Sequence, residues 1–336
     1  MRIAMVAAGT AAGELAAALG RLGHDVREYD AAGKPAGERL GAAWSDDDWG
    51  PEVIHAHGWA AGVAALASGA APLVQAFHGL SGPAPANGAG PDERRTYERL
   101  LCRVADRIIA GSTDECGELL RLGVPRGRIT LVPPGVDCEL FTPVGDPMPR
   151  MRPRVLAVAD GATWAGDLVR AMRMVPDAEA VVLGGPPELA GLAERCRVAD
   201  RVVLHRAVPR DERPAWFRSA DVAVCAPWRD PSGSAPIEAM ACGVPVVGTA
   251  TGLVRDAVID GLTGELVPPR DPRALGMAIR ALLADNLRRF TAATAALDRA
   301  RQVYPWPRIA DRTAVVCLAA CGQALPVAAE ELSVRS

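Results

Sequence analysis

Short strand-like runs alternate with amphipathic stretches through the first 130 residues. Runs at residues 2–8, 25–29, 52–57, 73–77, 107–110 and 129–132 have the length and bounding turn residues of strands. The stretches between them show helical spacing. Residues 13–23, for example, carry Leu15, Leu19 and Leu22 on one side and end at Gly23. This βαβα rhythm predicts a parallel, doubly wound sheet. Residues 132–154 break it: Pro133, Pro134, Pro143, Pro147, Pro149 and Pro153 stop helices and central strands, so the segment reads as a linker. The rhythm restarts with strands at 155–159, 180–183, 201–204, 222–225 and 245–247. A helical tail runs from residue 271 to about 324, and the segment YPWPR (304–308) marks a kink in it. The expected fold is α/β, with two Rossmann-type doubly wound parallel-sheet domains facing a cleft, at residues 1–150 and 151–305. Residues 306–336 are expected as a last helix and a frayed tail. Ligands of such sheets bind at the carboxyl ends of the strands.

Composition changes this picture little. The 336 residues are 49% hydrophobic and 23% charged with a net charge of −3, an ordinary globular balance. The strong basic bias of nucleic-acid binders is absent, so no nucleic acid is expected as partner. No apolar run approaches the ~20 residues of a membrane span. The opening MRIAMVAAG reads as a strand rather than a signal peptide. Lys34 is the sole lysine, so any lysine chemistry would have to use it. The eight cysteines form no CxxC pair, and several sit in apolar runs, as Cys225 does in ADVAVCAP. They read as reduced structural thiols of a cytoplasmic protein.

The most informative stretch is residues 227–248, PWRDPSGSAPIEAMACGVPVVG. It reads as a loop with Gly233 and Ser234, then a helix start, then a buried strand. Backbone N–H groups at such a junction favour phosphate, and a carboxylate in the first turns, here Glu238, can accept from ribose hydroxyls. Together they point to a nucleotide-sugar pocket. A carboxylate in the otherwise apolar EAMACG helix is costly unless partnered, which argues against a purely structural role. Pro236 is tolerated in a first helical turn.

The loop resembles the donor-site signature E-P-F-G-x-x-x-x-E-A-M-A-C-G-x-P-V-V of retaining glycosyltransferases with the GT-B fold. These are the sucrose-synthase-like and phosphatidylinositol-mannosyltransferase-like enzymes of glycosyltransferase family 4. Here the sequence is D-P-S-G-S-A-P-I-E-A-M-A-C-G-V-P-V-V, with the second half intact. The segments ADRIIAGSTDE and RLGVPRGRITLVPPGVD extend the resemblance, which covers about residues 1–320 and implies that the last helix crosses back onto the N-terminal domain. It implies that Glu238 binds both ribose hydroxyls of the donor, and that the backbone at Gly233, Ser234 and Ala235 approaches the sugar and diphosphate. Asp230 takes the place of the family's first glutamate, which contacts the donor sugar; its simpler reading is a turn residue before Pro231. The segment VQAFHGL matches V-x-T-F-H, which places His78 beside the donor sugar; its simpler reading is a hydrogen-bonded core histidine. Gly9, with Gly13, lies in the strand-to-helix turn that borders the donor sugar and phosphate in the family, with the acceptor nearby. His55-x-His57 would share one face of a strand, but no nearby Cys, Asp or Glu completes a metal set. No catalytic metal and no tightly bound cofactor are expected.

One part of the family pattern fails. The signature G-R-L-x-x-x-K-G supplies an Arg and a Lys that clamp the donor diphosphate. Asp160 and Ala165 stand at those two positions. Losing two charge-assisted hydrogen bonds costs ~3–6 kcal/mol, or roughly 10²–10⁴ in rate. Arg229 and Arg206 are the nearest replacements by sequence, although Arg229 also fits a solvated surface charge. The resemblance implies a retaining transferase that uses a nucleoside-diphosphate sugar, UDP- or GDP-linked, and a small-molecule or lipid-linked acceptor. Two rivals remain. One is a pseudo-glycosyltransferase that acts as the protein partner or regulator of another enzyme. The other is a same-fold enzyme that couples a nitrogen or sulfur nucleophile.

Overall fold

The computed structural model describes residues 1–7, 12–31, 36–45, 49–81, 93–159, 164–229 and 233–323. The chain divides into two compact units, Met1–Pro134 with Trp306–Ser336, and Gly135–Pro305. Gly9, Asp160, Asp230 and the expected frayed tail from 324 onward lie outside the described residues.

The first unit runs β1 (Arg2–Ala7), α1 (Gly13–Arg21), β2 (Asp25–Asp30), α2 (Ala36–Ser45), β3 (Val53–His57), α3 (Trp59–Ser68), β4 (Leu73–Ala76), α4 (Glu93–Val104), β5 (Arg107–Ala110), α5 (Thr113–Arg121) and β6 (Ile129–Leu131). Its strands are parallel in the order β2-β1-β3-β4-β5-β6. β3 and β4 are buried along their whole length and β1 from Ile3 onward, and apolar clusters cover both faces of the sheet. The second unit runs β7 (Arg154–Val158), α6 (Ala165–Ala171), β8 (Glu179–Leu183), α7 (Glu188–Arg195), β9 (Val202–His205), α8 (Arg213–Arg218), β10 (Val222–Cys225), α9 (Ala235–Ala241), β11 (Val246–Thr249), α10 (Gly252–Ala257), β12 (Gly264–Val267), α11 (Pro272–Ala284) and α12 (Asn286–Val303). Its parallel order is β12-β11-β10-β7-β8-β9. The strand order reverses beside β1/β3 in one unit and β7/β10 in the other. Loops at the carboxyl ends of these strands are where such sheets take ligands.

The last helix, α13 (Trp306–Ala320), packs in the first unit. Ile309, Ala310, Ala314 and Cys317 share an apolar cluster with Leu15 and Leu19 of α1, and Arg312 donates to the Leu131 carbonyl at 2.5 Å. The expected kink falls at Tyr304, where α12 ends.

The unit boundary differs from the sequence expectation. It falls at Gly135 instead of residue 150, because the Pro-rich segment is anchored to the second unit. Val136 is fully buried and donates its N–H to the Tyr304 carbonyl, and Phe141 packs edge-on against Phe217 at 6.3 Å. Arg218 and the buried Arg154 donate to the carbonyls of Thr142, Asp146 and Pro149. β12 was not expected from sequence. Its four residues give too short a pattern, and Gly264 belongs there because a Cβ would run into the Val246 backbone. No helix among the described residues is long and apolar enough to cross a membrane. All eight cysteines are free, and burial pushes the Cys225 and Cys242 thiols up to about 12.

Candidate functional site

In the first unit the sheet's carboxyl edge gathers three histidines. Alternation along β3 puts His55 and His57 on one face, with ring centroids 4.2 Å apart. His78 follows β4, which pairs with β3 through His57 and Ala76. His57 Nδ1 lies 2.8 Å from His78 Nε2. His55 and His57 are buried, at 1% and 8% exposure, whereas His78 keeps an exposed side. Burial lowers the pKa of all three. His55 falls to about 3, with the neighbouring His78 adding to the effect, and His57 falls well below its ordinary value. The three rings are therefore neutral near pH 7. Among the described residues, no group of three or more His, Cys, Asp or Glu is placed to hold a metal ion.

His78 has a left-handed backbone, φ 56°, followed by Gly79 at φ 96°. Two buried carboxylates hold this turn. Glu115, at 2% exposure, accepts the Gly79 N–H at 3.0 Å and the Gly111 N–H at 2.6 Å. It therefore ties the turn after β4 to the junction of β5 and α5. Glu98 accepts the Ser81 N–H through both oxygens and the Arg94 Nε at 2.7 Å, while Arg94 also donates to the Gly79 carbonyl. Sequence reasoning missed both acids. The S-x-x-E spacing of Ser112 and Glu115 was the available signal. Ser112 Oγ accepts the Glu115 N–H as a capping box requires, and the Glu115 side chain also reaches Gly79 and Gly111. Glu115→Ala leaves two backbone N–H groups without their acceptor, at ~1–3 kcal/mol each. A fall of ~2–6 kcal/mol in unfolding free energy is expected from denaturant titration; an unchanged midpoint contradicts the staple.

In the second unit, the loop after β10 leads into α9. The stretch just ahead of residues 230–232 is pinned. Thr249 and Thr251 donate to the Pro227 carbonyl at 2.6 and 3.2 Å, and Trp228 Nε1 donates to Asp167 Oδ2 of α6 at 2.7 Å. Gly233 is exposed and would accept a Cβ without contact; Ala235 opens α9, and Pro236 sits in its first turn. Ser234 occupies the N-cap position but does not cap. Its hydroxyl instead donates to Glu238 Oε1 at 2.6 Å.

Glu238 is fully buried. Arg210 Nε donates to its Oε1 at 3.0 Å, and Arg213 lies 3.7 Å from Oε2, too far for a hydrogen bond. Oε2 has an ion-pair neighbour but no hydrogen-bond partner. Arg210 and Arg213 were also missed in the sequence, because the 3₁₀ turn Arg210–Glu212 and α8 bring them to α9 from 25 or more residues upstream. Arg229 is exposed at the edge of the loop, and Arg206 is exposed after β9 at the far edge of the sheet. Neither is brought to Glu238 by a hydrogen bond or ion pair. Ala165 is buried at the start of α6. Sequence reasoning also overlooked Arg270, in the loop after β12 with φ 61°. Its guanidinium stands 4.9 Å from the centre of the Trp228 ring, which itself bonds Asp167.

Residues 153–285 match the family model "Glycosyl transferases group 1", and residues 33–140 match "Glycosyltransferase Family 4". A D-inositol 3-phosphate glycosyltransferase of Xylanimonas cellulosilytica is 33% identical over 294 residues, covering 77% of this chain and 70% of the relative. A second, from Catenulispora acidiphila, is 31% identical over 79% of this chain and 71% of its own. Among solved structures, sucrose-phosphate synthase from Thermosynechococcus elongatus matches 94% of this chain and 97% of its own with a TM-score of 0.82 at 24% identity. Anabaena HepE, in complex with UDP and glucose, matches 94% and 98% with a TM-score of 0.77 at 19% identity. The chain belongs to the group 1 (family 4) glycosyltransferases and has their GT-B fold of two parallel-sheet units.

Proposed function

We propose that this chain moves a sugar, with retention at the anomeric carbon, from a nucleoside-diphosphate donor to a small hydroxyl-bearing or lipid-linked acceptor. The observation that carries the reading is Glu238: a fully buried carboxylate at a strand-order reversal, with one oxygen lacking a hydrogen-bond partner. Such an oxygen suits ribose hydroxyls. The reading gains support from neighbours solved with UDP and UDP-glucose, and from relatives named for glycosyl transfer to D-inositol 3-phosphate. In this reading Glu238 holds the ribose, the backbone at Gly233, Ser234 and Ala235 receives the diphosphate, and Asp230 and His78 position the sugar. Gly9 borders the sugar on the acceptor side. Arg270 joins Arg229 and Arg206 as a source of the positive charge that Asp160 and Ala165 do not supply. It is favoured because its guanidinium lies over the indole that contacts α6.

Proton NMR of the reaction with UDP-glucose or GDP-mannose and an inositol phosphate tests the proposal. A glycoside with the donor's anomeric configuration is expected. An inverted product overturns retention. The absence of any product across these donors favours the pseudo-glycosyltransferase, the second reading, whose motivation is the missing Arg/Lys pair.

A further inference from the structure

We propose that His57 is a positioning residue: it fixes the tautomer of His78, so that His78 presents Nδ1–H, a donor, to whatever binds at its exposed side. This rests on the reading of His78 as a sugar-positioning residue, and it adds which atom does the work.

The geometry is that of an in-plane hydrogen bond. The His57 and His78 rings are nearly parallel, 16° between planes, yet their centroids are 5.0 Å apart while Nδ1 and Nε2 are only 2.8 Å apart. The rings meet edge to edge, with the lone pair of one nitrogen in line with the N–H of the other. A single proton lies between them, and two arrangements exist. If His78 Nε2–H donated, the proton of His57 would sit on its own Nε2. That atom is buried and has no protein partner. If His57 Nδ1–H donates, His57 Nε2 is a bare acceptor instead. Buried N–H groups without partners are rarer than under-satisfied acceptors. His55 already buries both ring nitrogens without partners, with its ring 4.2 Å from that of His57, so a second orphan N–H there would compound the cost. The His57 donor arrangement therefore wins. The hydrogen bond made by one ring nitrogen sets the state of the other. With Nε2 accepting, neutral His78 carries its proton on Nδ1.

The backbone around the pair is fixed independently of the rings. Gly58, next to His57, donates its N–H to the Ala76 carbonyl at 2.7 Å, and buried Gln75 donates to the Gly58 and Ala76 carbonyls. Glu115 and Arg94 hold Gly79, next to His78. The relation between the rings does not depend on side-chain chance. The group facing His78 is then an acceptor oxygen, such as a sugar hydroxyl or phosphate oxygen.

Long-range ¹H–¹⁵N NMR of the ring nitrogens reads the tautomer directly in the whole protein. Wild-type His78 is expected as Nδ1–H. His57→Leu removes the donor, and His78 is expected to move to Nε2–H, with kcat falling roughly 10- to 100-fold and the KM for donor little changed. His57→Asn places an amide N–H near the lost Nδ1–H, and is expected to restore the Nδ1–H signature and most of kcat. Wild-type His78 as Nε2–H, or an unchanged tautomer in His57→Leu, overturns the proposal. Should His57→Leu fail to fold, the wild-type spectrum and the Asn variant still decide. His78→Ala separates this proposal from the reading beneath it. Full activity in that variant would overturn a sugar-positioning role for His78 while leaving the spectroscopic result standing.

Discussion

Glu238→Gln is expected to lower kcat/KM for the donor by roughly 10²-fold or more. The side chain is fully buried, so its charge acts in a low-dielectric setting. Each charge-assisted hydrogen bond it offers to ribose is worth ~1.5–3 kcal/mol, and two are at stake in the proposed pose. Glutamine keeps the volume and can still accept the Ser234 hydroxyl, so the packing of α9 survives. What it loses is the countercharge to Arg210 and Arg213. Breaking one side of a buried ion pair costs up to ~3–5 kcal/mol, so a stability loss accompanies the kinetic one. The two separate on measurement. Calorimetry with a nucleoside alone, at a temperature where the variant is folded, is expected to show weakened binding. Unimpaired nucleoside affinity in the folded variant contradicts the ribose role, whatever the thermal shift.

Acid should destabilise the protein well above the range in which ordinary carboxyls titrate. His55 is buried and neutral with a pKa of about 3, against ~6.5 in an unfolded chain. Its folded pKa is depressed, so between these values the unfolded state binds more protons and stability rises with pH. The stabilisation is complete above ~6.5 and is lost as pH falls from there, at ~1.4 kcal/mol per unit, until about 3. At pH 5 the loss from His55 alone is ~2 kcal/mol. His57 is depressed for the same reason and adds in the same direction. Against a total stability of ~5–15 kcal/mol this is large. The denaturant midpoint is therefore expected to fall clearly between pH 6.5 and 5, and His55→Leu is expected to flatten the slope by about one proton. A flat profile in the wild type would show that these imidazoles are hydrated or already protonated in the folded state.

Much of the fold was legible in the chain because parallel strands are buried on both faces and read as apolar runs. The runs that form β3, β5, β7 and β10 gave themselves away in this manner. β12 did not, since four residues that include Gly264 and Glu265 carry almost no periodicity. The unit boundary was misplaced because proline density marks irregular backbone, and irregular backbone can still be anchored. Phe141 and the arginine contacts to Thr142, Asp146 and Pro149 hold this stretch to the second unit. At the site, Glu238 was legible because an acid in an apolar helix needs a reason. Its arginine neighbours were not, since Arg210 and Arg213 lie in an ordinary-looking charged stretch and reach Glu238 only through tertiary structure. Glu115 had a spacing signal, but that signal pointed to a helix cap and concealed its hold on Gly79. The pairing of His57 with His78 depended on strand register, which the alternation of His55 and His57 alone could not supply.

The most direct test of the donor-site reading is calorimetric titration of the purified protein with UDP, GDP, ADP and dTDP, each beside its nucleoside. Diphosphate binding much tighter than nucleoside binding is expected for at least one base, with a cation such as Arg270 supplying the charge that Asp160 and Ala165 lack. Equal affinity for diphosphate and nucleoside, or no binding of either, contradicts an active donor site and leaves the pseudo-glycosyltransferase.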